Sequence, residues 1–172
     1  MREHRYTLDL PHPPARVWAL MQDYPRWTEY APMVVRVEVL HPGDANGDGL
    51  LRRVIYKLPL GRVGAALELV TEVRSPSGAR MLDGLGSERH AGYTYTMIGR
   101  TPGNDQTGRV RLEPLAGGGT RLHFEERYHL ASAPWKWLEG PIYRFINRQN
   151  EASMRALSDW LGAHPEYRPE LA

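Results

Sequence analysis

Residues 8–33 read LDLPHPPARVWALMQDYPRWTEYAPM, and this stretch decides how the chain begins to fold. Tyr6, Leu8 and Leu10 alternate as a strand that stops at Pro11. Pro13-Pro14 then opens a short amphipathic helix whose apolar residues are Val17, Trp18, Leu20 and Met21. Asp23-Tyr24-Pro25-Arg26-Trp27 ends that helix and starts a second short one. Ala31-Pro32 precedes another strand, Val34–Leu40. The order is strand, helix, aromatic turn, helix, strand.

Working outward, period-two alternation marks about seven strands near 3–10, 34–41, 50–58, 64–74, 79–85, 92–100 and 107–115, the last closing with 120–130. Turn residues join most of them: Pro42-Gly43-Asp44, Pro59-Leu60-Gly61, Ser75-Pro76-Ser77-Gly78, Pro102-Gly103-Asn104-Asp105 and Gly117-Gly118-Gly119. Short connections favour antiparallel pairing. Pro141 then starts a helix that runs to Ala163, stopped by Pro165, for a length of about 35 Å. Ile142, Phe145, Ile146, Ala156, Leu157 and Trp160 form its expected apolar stripe, opposite Arg144, Arg148, Glu151, Arg155 and Asp159. Trp135, Trp137 and Leu138 lead into it. The reading is an α+β fold occupying residues 1–164 as one domain, with a loosely ordered tail at 165–172.

This layout resembles the START/Bet v 1-like superfamily, in its polyketide cyclase/dehydrase and lipid-transport branch. The likeness rests on residues 8–33 and on a closing hairpin, Arg109–Leu115, Gly117-Gly118-Gly119 and Thr120–Tyr128, that feeds the last helix. It implies a helix-grip fold: a curved antiparallel sheet wrapped around one long C-terminal helix, two short helices after the first strand, and an apolar cavity between sheet and helix. The implied function is binding of a hydrophobic small molecule, polyketide-like, lipid-like or otherwise polycyclic. A polyketide aromatase/cyclase is the alternative from the enzyme class. A quinone-binding, ribosome-associated branch shares Asp23-Tyr24-Pro25 and Pro32, but its Phe-Leu-Pro is Tyr30-Ala31-Pro32 here.

Composition narrows the partners. The 172 residues include no cysteine, which excludes disulfides and thiolate metal sites. Formal net charge is +2, and of 22 basic residues all but Lys57 and Lys136 are arginines, dispersed along the chain. That pattern is a solvated surface and not a nucleic-acid footprint. No run is apolar enough to span a bilayer and none has a signal-peptide layout, so the cytoplasm is the expected location. The oligomeric state is left open.

Most chemical motifs dissolve on inspection. Asp44-Ala45-Asn46-Gly47-Asp48-Gly49 imitates a calcium loop, but its twelfth position is Ile55 and strands flank it, so it reads as a hairpin turn. Gly117-Gly118-Gly119-Thr120 lacks the Gly-Lys-Ser/Thr of a phosphate loop. Arg89-His90 and the His123/Glu125 pair offer metal ligands, yet His123 alternates with Arg121, Glu125, Arg127 and His129 on the solvent side. No metal and no cofactor are expected. Two anomalies remain. Glu126 shares strand parity with Leu122, Phe124, Tyr128 and Leu130, so a carboxylate points inward, either paired with an arginine such as Arg52 or Arg111 or facing a wet cavity. Gln149 and Ser153 interrupt the helix stripe, with Asn150 at its edge. Tyr93, Tyr95 and Met97 share one strand face, which the family resemblance turns toward the cavity. The expected ligand-binding set is therefore Tyr93, Tyr95, Met97, Glu126, Tyr128, Gln149, Asn150 and Ser153, with Glu126 the single weak catalytic candidate.

Overall fold

A computed structural model describes residues 2–58, 61–76, 90–99, 106–128 and 139–167. The expected strand at 79–85, the turn at 102–105, the tryptophan lead-in at 135–138 and the end of the tail lie outside the described residues, as does the side chain of Ile142.

Among the described residues seven strands form one antiparallel sheet: β1 (Arg2–Leu10), β2 (Val34–His41), β3 (Leu50–Lys57), β4 (Val63–Arg74), β5 (Ala91–Ile98), β6 (Thr107–Pro114) and β7 (Thr120–Tyr128). Their order across the sheet is β1-β7-β6-β5-β4-β3-β2. β2 to β7 run as a meander, while β1 joins the far side by pairing with β7 from Arg2↔Tyr128 to Leu10↔Thr120. The first two strands thus occupy opposite edges. The chain between them must cross the end of the sheet, and it does so as α1 (Pro14–Gln22), a 3₁₀ turn (Tyr24–Arg26) and α2 (Trp27–Tyr30).

Prolines punctuate this crossing as anticipated. Pro14 sits in the first turn of α1, where its missing N–H costs nothing. Val17, Leu20 and Met21 bury the inner face of α1 in the core cluster that also holds Leu10, Leu112, Leu122, Leu157 and Leu161. Polar bonds stitch the corner: Thr120 Oγ1 donates to the carbonyl of His12 (2.6 Å), and the buried His12 ring bonds the carbonyl of Ser158 (2.8 Å).

The long helix, α3 (Glu139–Ala163), lies over the concave face. Its buried face keeps most of the expected stripe, with Ala156 and Trp160 packed against the core beside Leu157. Tyr143, Leu157 and Leu161 are buried, Ile146 and Met154 pack beside them, and Phe145 is exposed. Asn147 and Asn150 also reach the sheet. Among the described side chains only Phe145 departs from the expected stripe, and the reason is physical: the first half of α3 faces polar groups on the sheet, so Asn147 and Asn150 take inward places there. At the other end, Arg16 donates to the carbonyls of Leu161 (3.3 Å) and His164 (2.8 Å), placing a cation where the helix dipole is negative. Tyr167, in the segment expected to be loose, packs on Trp160 and donates to Asp23 (3.2 Å).

The loop at 44–49 is the expected hairpin connection. Asp44 Oδ1 accepts the backbone N–H groups of Asn46 (2.8 Å) and Asp48 (2.9 Å), satisfying the carboxylate with its own turn. Among the described residues no group of acidic and histidine side chains is arranged to hold a metal ion. Nor is any helix of the described residues long and apolar enough to cross a membrane.

Candidate functional site

Strand parity turns two carboxylates into the concave face. On β7, Thr120, Leu122, Phe124, Glu126 and Tyr128 alternate inward, and Glu126 is only 1% exposed. On β4, Glu68 lies between the buried Ala66 and Val70 and is 3% exposed. Each carboxylate has solved its burial differently.

Glu126 is held by neutral donors. Tyr95 and Gln106 donate to Oε1, and Asn150 of α3 donates to Oε2 at 2.8 Å. The expected arginine partners are not there. Arg52 is engaged elsewhere, and Arg111 stands on the convex face beside Arg109 and His123. Tyr95 reaches Glu126 across an intervening strand: the sheet register runs Tyr95↔Gly108↔Glu126. Gly108 makes this possible, because a Cβ there would stand 2.2 Å from Tyr95 Cζ and 2.4 Å from its hydroxyl oxygen. The phenol ring lies where a side chain would otherwise be. Tyr128 completes the group, stacking on Tyr143 at 4.6 Å and donating to Asn147, while Tyr6 donates weakly to the carbonyl of Asn150 (3.4 Å).

Glu68 is paired with the buried Arg52, which faces it directly across β3 and β4. Arg52 Nε and Nη2 both bond Glu68 Oε2 at 2.8 Å, and Tyr56 donates to Oε1 at 2.7 Å. The guanidinium sits among the rings of Trp27 (4.5 Å), Tyr24 (5.1 Å) and Tyr93 (5.7 Å). Its Nη1 is buried and has no hydrogen-bond partner. Burial pulls the guanidinium pKa down, but Glu68 and the flanking tyrosines outweigh it and hold it above the ordinary value.

Burial shifts the titration of the Glu126 group as well. Desolvation raises the Glu126 pKa, the donors Tyr95 and Gln106 and the neighbouring Tyr128 hydroxyl oppose it, and the charge of Glu68 adds to the rise. The Tyr95 hydroxyl is pushed up by burial and then by the Glu126 charge, which keeps its proton in place for donation.

The family model for polyketide cyclase / dehydrase and lipid transport proteins matches residues 1–161. The chain belongs to this family. Its START/Bet v 1-like fold recurs in solved structures. A protein of Thermus thermophilus, TTHA0849, matches with a TM-score of 0.73 at 18% identity, covering 94% of this chain and 98% of that one. The Zhui aromatase/cyclase from Streptomyces sp. R1128 matches at 0.72 and 16%, covering 95% of each chain. A START superfamily protein from Mycobacterium smegmatis matches at 0.62 and 12%, over 90% of this chain and 98% of that one. At these identities the likeness is one of fold. No curated protein sequence matches the chain.

Within this polyketide cyclase/dehydrase and lipid transport fold, the residues expected from sequence divide into three groups. Tyr95, Glu126 and Asn150 are bonded together, with Tyr128 beside them. Tyr93 and Met97 share the face of Tyr95 but stand toward the second carboxylate: Tyr93 flanks Arg52, and Met97 lies opposite Glu68 in the β4–β5 register. Gln149 and Ser153 do not join them. Gln149 lines an open depression of about 400 Å³ with Pro141, Arg144, Phe145 and Arg148, on the flank of α3, and Ser153 is half-buried. Gln106, Gly108, Asn147, Tyr56 and the Arg52–Glu68 pair were absent from the sequence-derived set. The signal for that pair was present, since Arg52 alternates with Leu50 and Val54 as Glu126 does with Phe124 and Tyr128.

The raised Glu126 pKa has a measurable consequence. The ordinary value is 4.5 and the folded value lies above it, so the folded protein holds the proton more tightly than the unfolded chain. Glu126 therefore contributes stability that is fully present below about pH 4.5 and is lost as pH rises through the raised value. Denaturant midpoints compared across this window should fall with pH by a component that Glu126→Gln abolishes. A wild type and variant with parallel pH profiles would show that Glu126 titrates normally.

Proposed function

We propose that residues 1–164 act as one binding domain for a hydrophobic small molecule that carries hydroxyl or carbonyl groups, held between the concave sheet and α3. One observation carries the reading: Glu126 is buried beneath α3 with neutral donors from two sheet segments and from the helix. A carboxylate kept only for stability would be better matched by a cation or replaced by an apolar residue. Held by Tyr95, Gln106 and Asn150, it can exchange one of these bonds for a ligand hydroxyl at small cost. Tyr95 and Tyr128 supply apolar surface around it, Tyr93 and Met97 extend that surface toward Glu68, and Arg52 Nη1 is a second buried donor for a carbonyl. Family membership and the likeness to an aromatase/cyclase support a cyclic, polyketide-like ligand.

The test is a pair of polycyclic aromatic ligands, one hydroxylated and one plain, each measured by fluorescence titration. The hydroxylated ligand should bind in the micromolar range, about −8 kcal/mol. Glu126→Leu should weaken it by roughly 10- to 100-fold and leave the plain hydrocarbon within about threefold, because only the former loses a buried hydrogen bond. Equal effects on both ligands would remove Glu126 from the site.

The contact between Tyr95 and a carboxyl of raised pKa also favours a second reading, proton transfer to a bound polyketide by Glu126 as acid or base. Product formation that disappears in Glu126→Gln, with ligand affinity retained, would establish turnover.

A further inference from the structure

The strand β2 ends the sheet, and among the described residues β3 is the only strand paired with it. An edge of this kind presents a row of unpaired backbone N–H and C=O groups. This edge is also apolar: Val35, Val39 and Leu40 are 39%, 47% and 46% exposed. Irregularities in register lie between Val34 and Arg36 and between Val39 and His41. They leave a regular run from Arg36 to Val39, short enough to pair once and too short to extend indefinitely.

The charges on that run are self-complementary. Arg36 and Glu38 form an ion pair at 2.7 Å, and Glu38 also meets Arg53 at 3.1 Å. We propose that the protein forms a two-fold dimer by antiparallel pairing of β2 with β2 of a second copy, centred on Val37. In this register Arg36 faces Glu38 of the partner subunit and Glu38 faces Arg36 of the partner subunit, closing a quartet of alternating charge. Val39, at the end of the run and 47% exposed, comes against the edge of the second copy, so exposed aliphatic surface is covered at the same time. Neighbouring registers that keep the same face fail. Centring on Glu38 sets that carboxylate against its own copy, and centring on Arg36 does the same for the guanidinium. Like charges directly opposite across a strand pair repel, so the charge pattern selects one register. The contact is isologous and therefore closes at two copies.

Sedimentation velocity on the full chain tests this. Because the paired edge is short, with a buried area below that of standard interfaces, association should appear at on the order of 10–100 µM. Arg36→Glu and Glu38→Arg should each weaken it at least tenfold, since each sets like charges against one another. An equimolar mixture of the two variants should dimerise again, because the two carboxylates on one copy's run then meet the two guanidinium groups on the other's. No folding defect can reproduce that rescue. Val39→Lys, at an exposed position, should also give a monomer, independently of the charge pairs. A wild type that stays monomeric at about 1 mM would overturn the proposal, as would charge variants that dimerise alone or a mixture that stays monomeric.

Discussion

Arg52→Met is expected to destabilise the protein by about 3–5 kcal/mol, the largest loss from any single change at the site. The methionine fills most of the space among Trp27, Tyr24 and Tyr93, so packing is nearly retained. What is lost is the counter-charge of Glu68, which remains buried with Tyr56 as its donor. A lone buried carboxylate must take up a proton or draw in water, and either costs free energy. The double variant Arg52→Met/Glu68→Leu should recover most of the loss, because it removes both desolvated charges together. Urea denaturation of the wild type, both single variants and the double variant measures the coupling directly. Additive losses would show that Arg52 contributes through its contacts with the rings and not through Glu68.

Gly108→Val is the second large effect, an expected loss of about 2–5 kcal/mol. Its Cβ would overlap the Tyr95 ring at 2.2 Å, and the ring is buried with little room to move. Tyr95 must then leave its bond to Glu126, so overpacking and a lost buried hydrogen bond add together. Tyr95→Leu in the same chain should relieve the overlap, making the double variant's loss smaller than the sum of the singles. A Gly108→Val protein as stable as wild type would mean that Tyr95 does not cross β6. The glycine would then be needed for the strand alone.

The two buried carboxylates show how far alternation can be read. Glu126 was recognisable as inward because Leu122, Phe124 and Tyr128 share its parity, and the structure buries it. Its partner was not recognisable. Asn150 meets it from a segment 24 residues further on, and Tyr95 reaches it over another strand. An arginine partner was the natural expectation from pairwise charge, and Arg52 was a candidate. Strand order decided otherwise: Arg52 lies on β3, directly opposite Glu68, while β4, β5 and β6 separate it from Glu126. The same lesson holds on α3. Its end and much of the stripe it buries were legible from Pro165 and the apolar period, but the inward turn of Tyr143 and Asn147 was not, because their partner Tyr128 lies on the sheet.

By itself the sequence determined the local elements, since strand parity, helix period and the proline and glycine punctuation depend only on near neighbours in the chain. It determined the family as well, through the order of those elements. Only the tertiary structure decided which polar residues meet. The pairing of β1 with β7 and the crossing of Tyr95 over Gly108 join residues separated by many positions, and their free energy depends on a register that no local pattern encodes. Burial makes that register matter, because a carboxylate deprived of water is tolerated only where the folded sheet and helix bring donors to it.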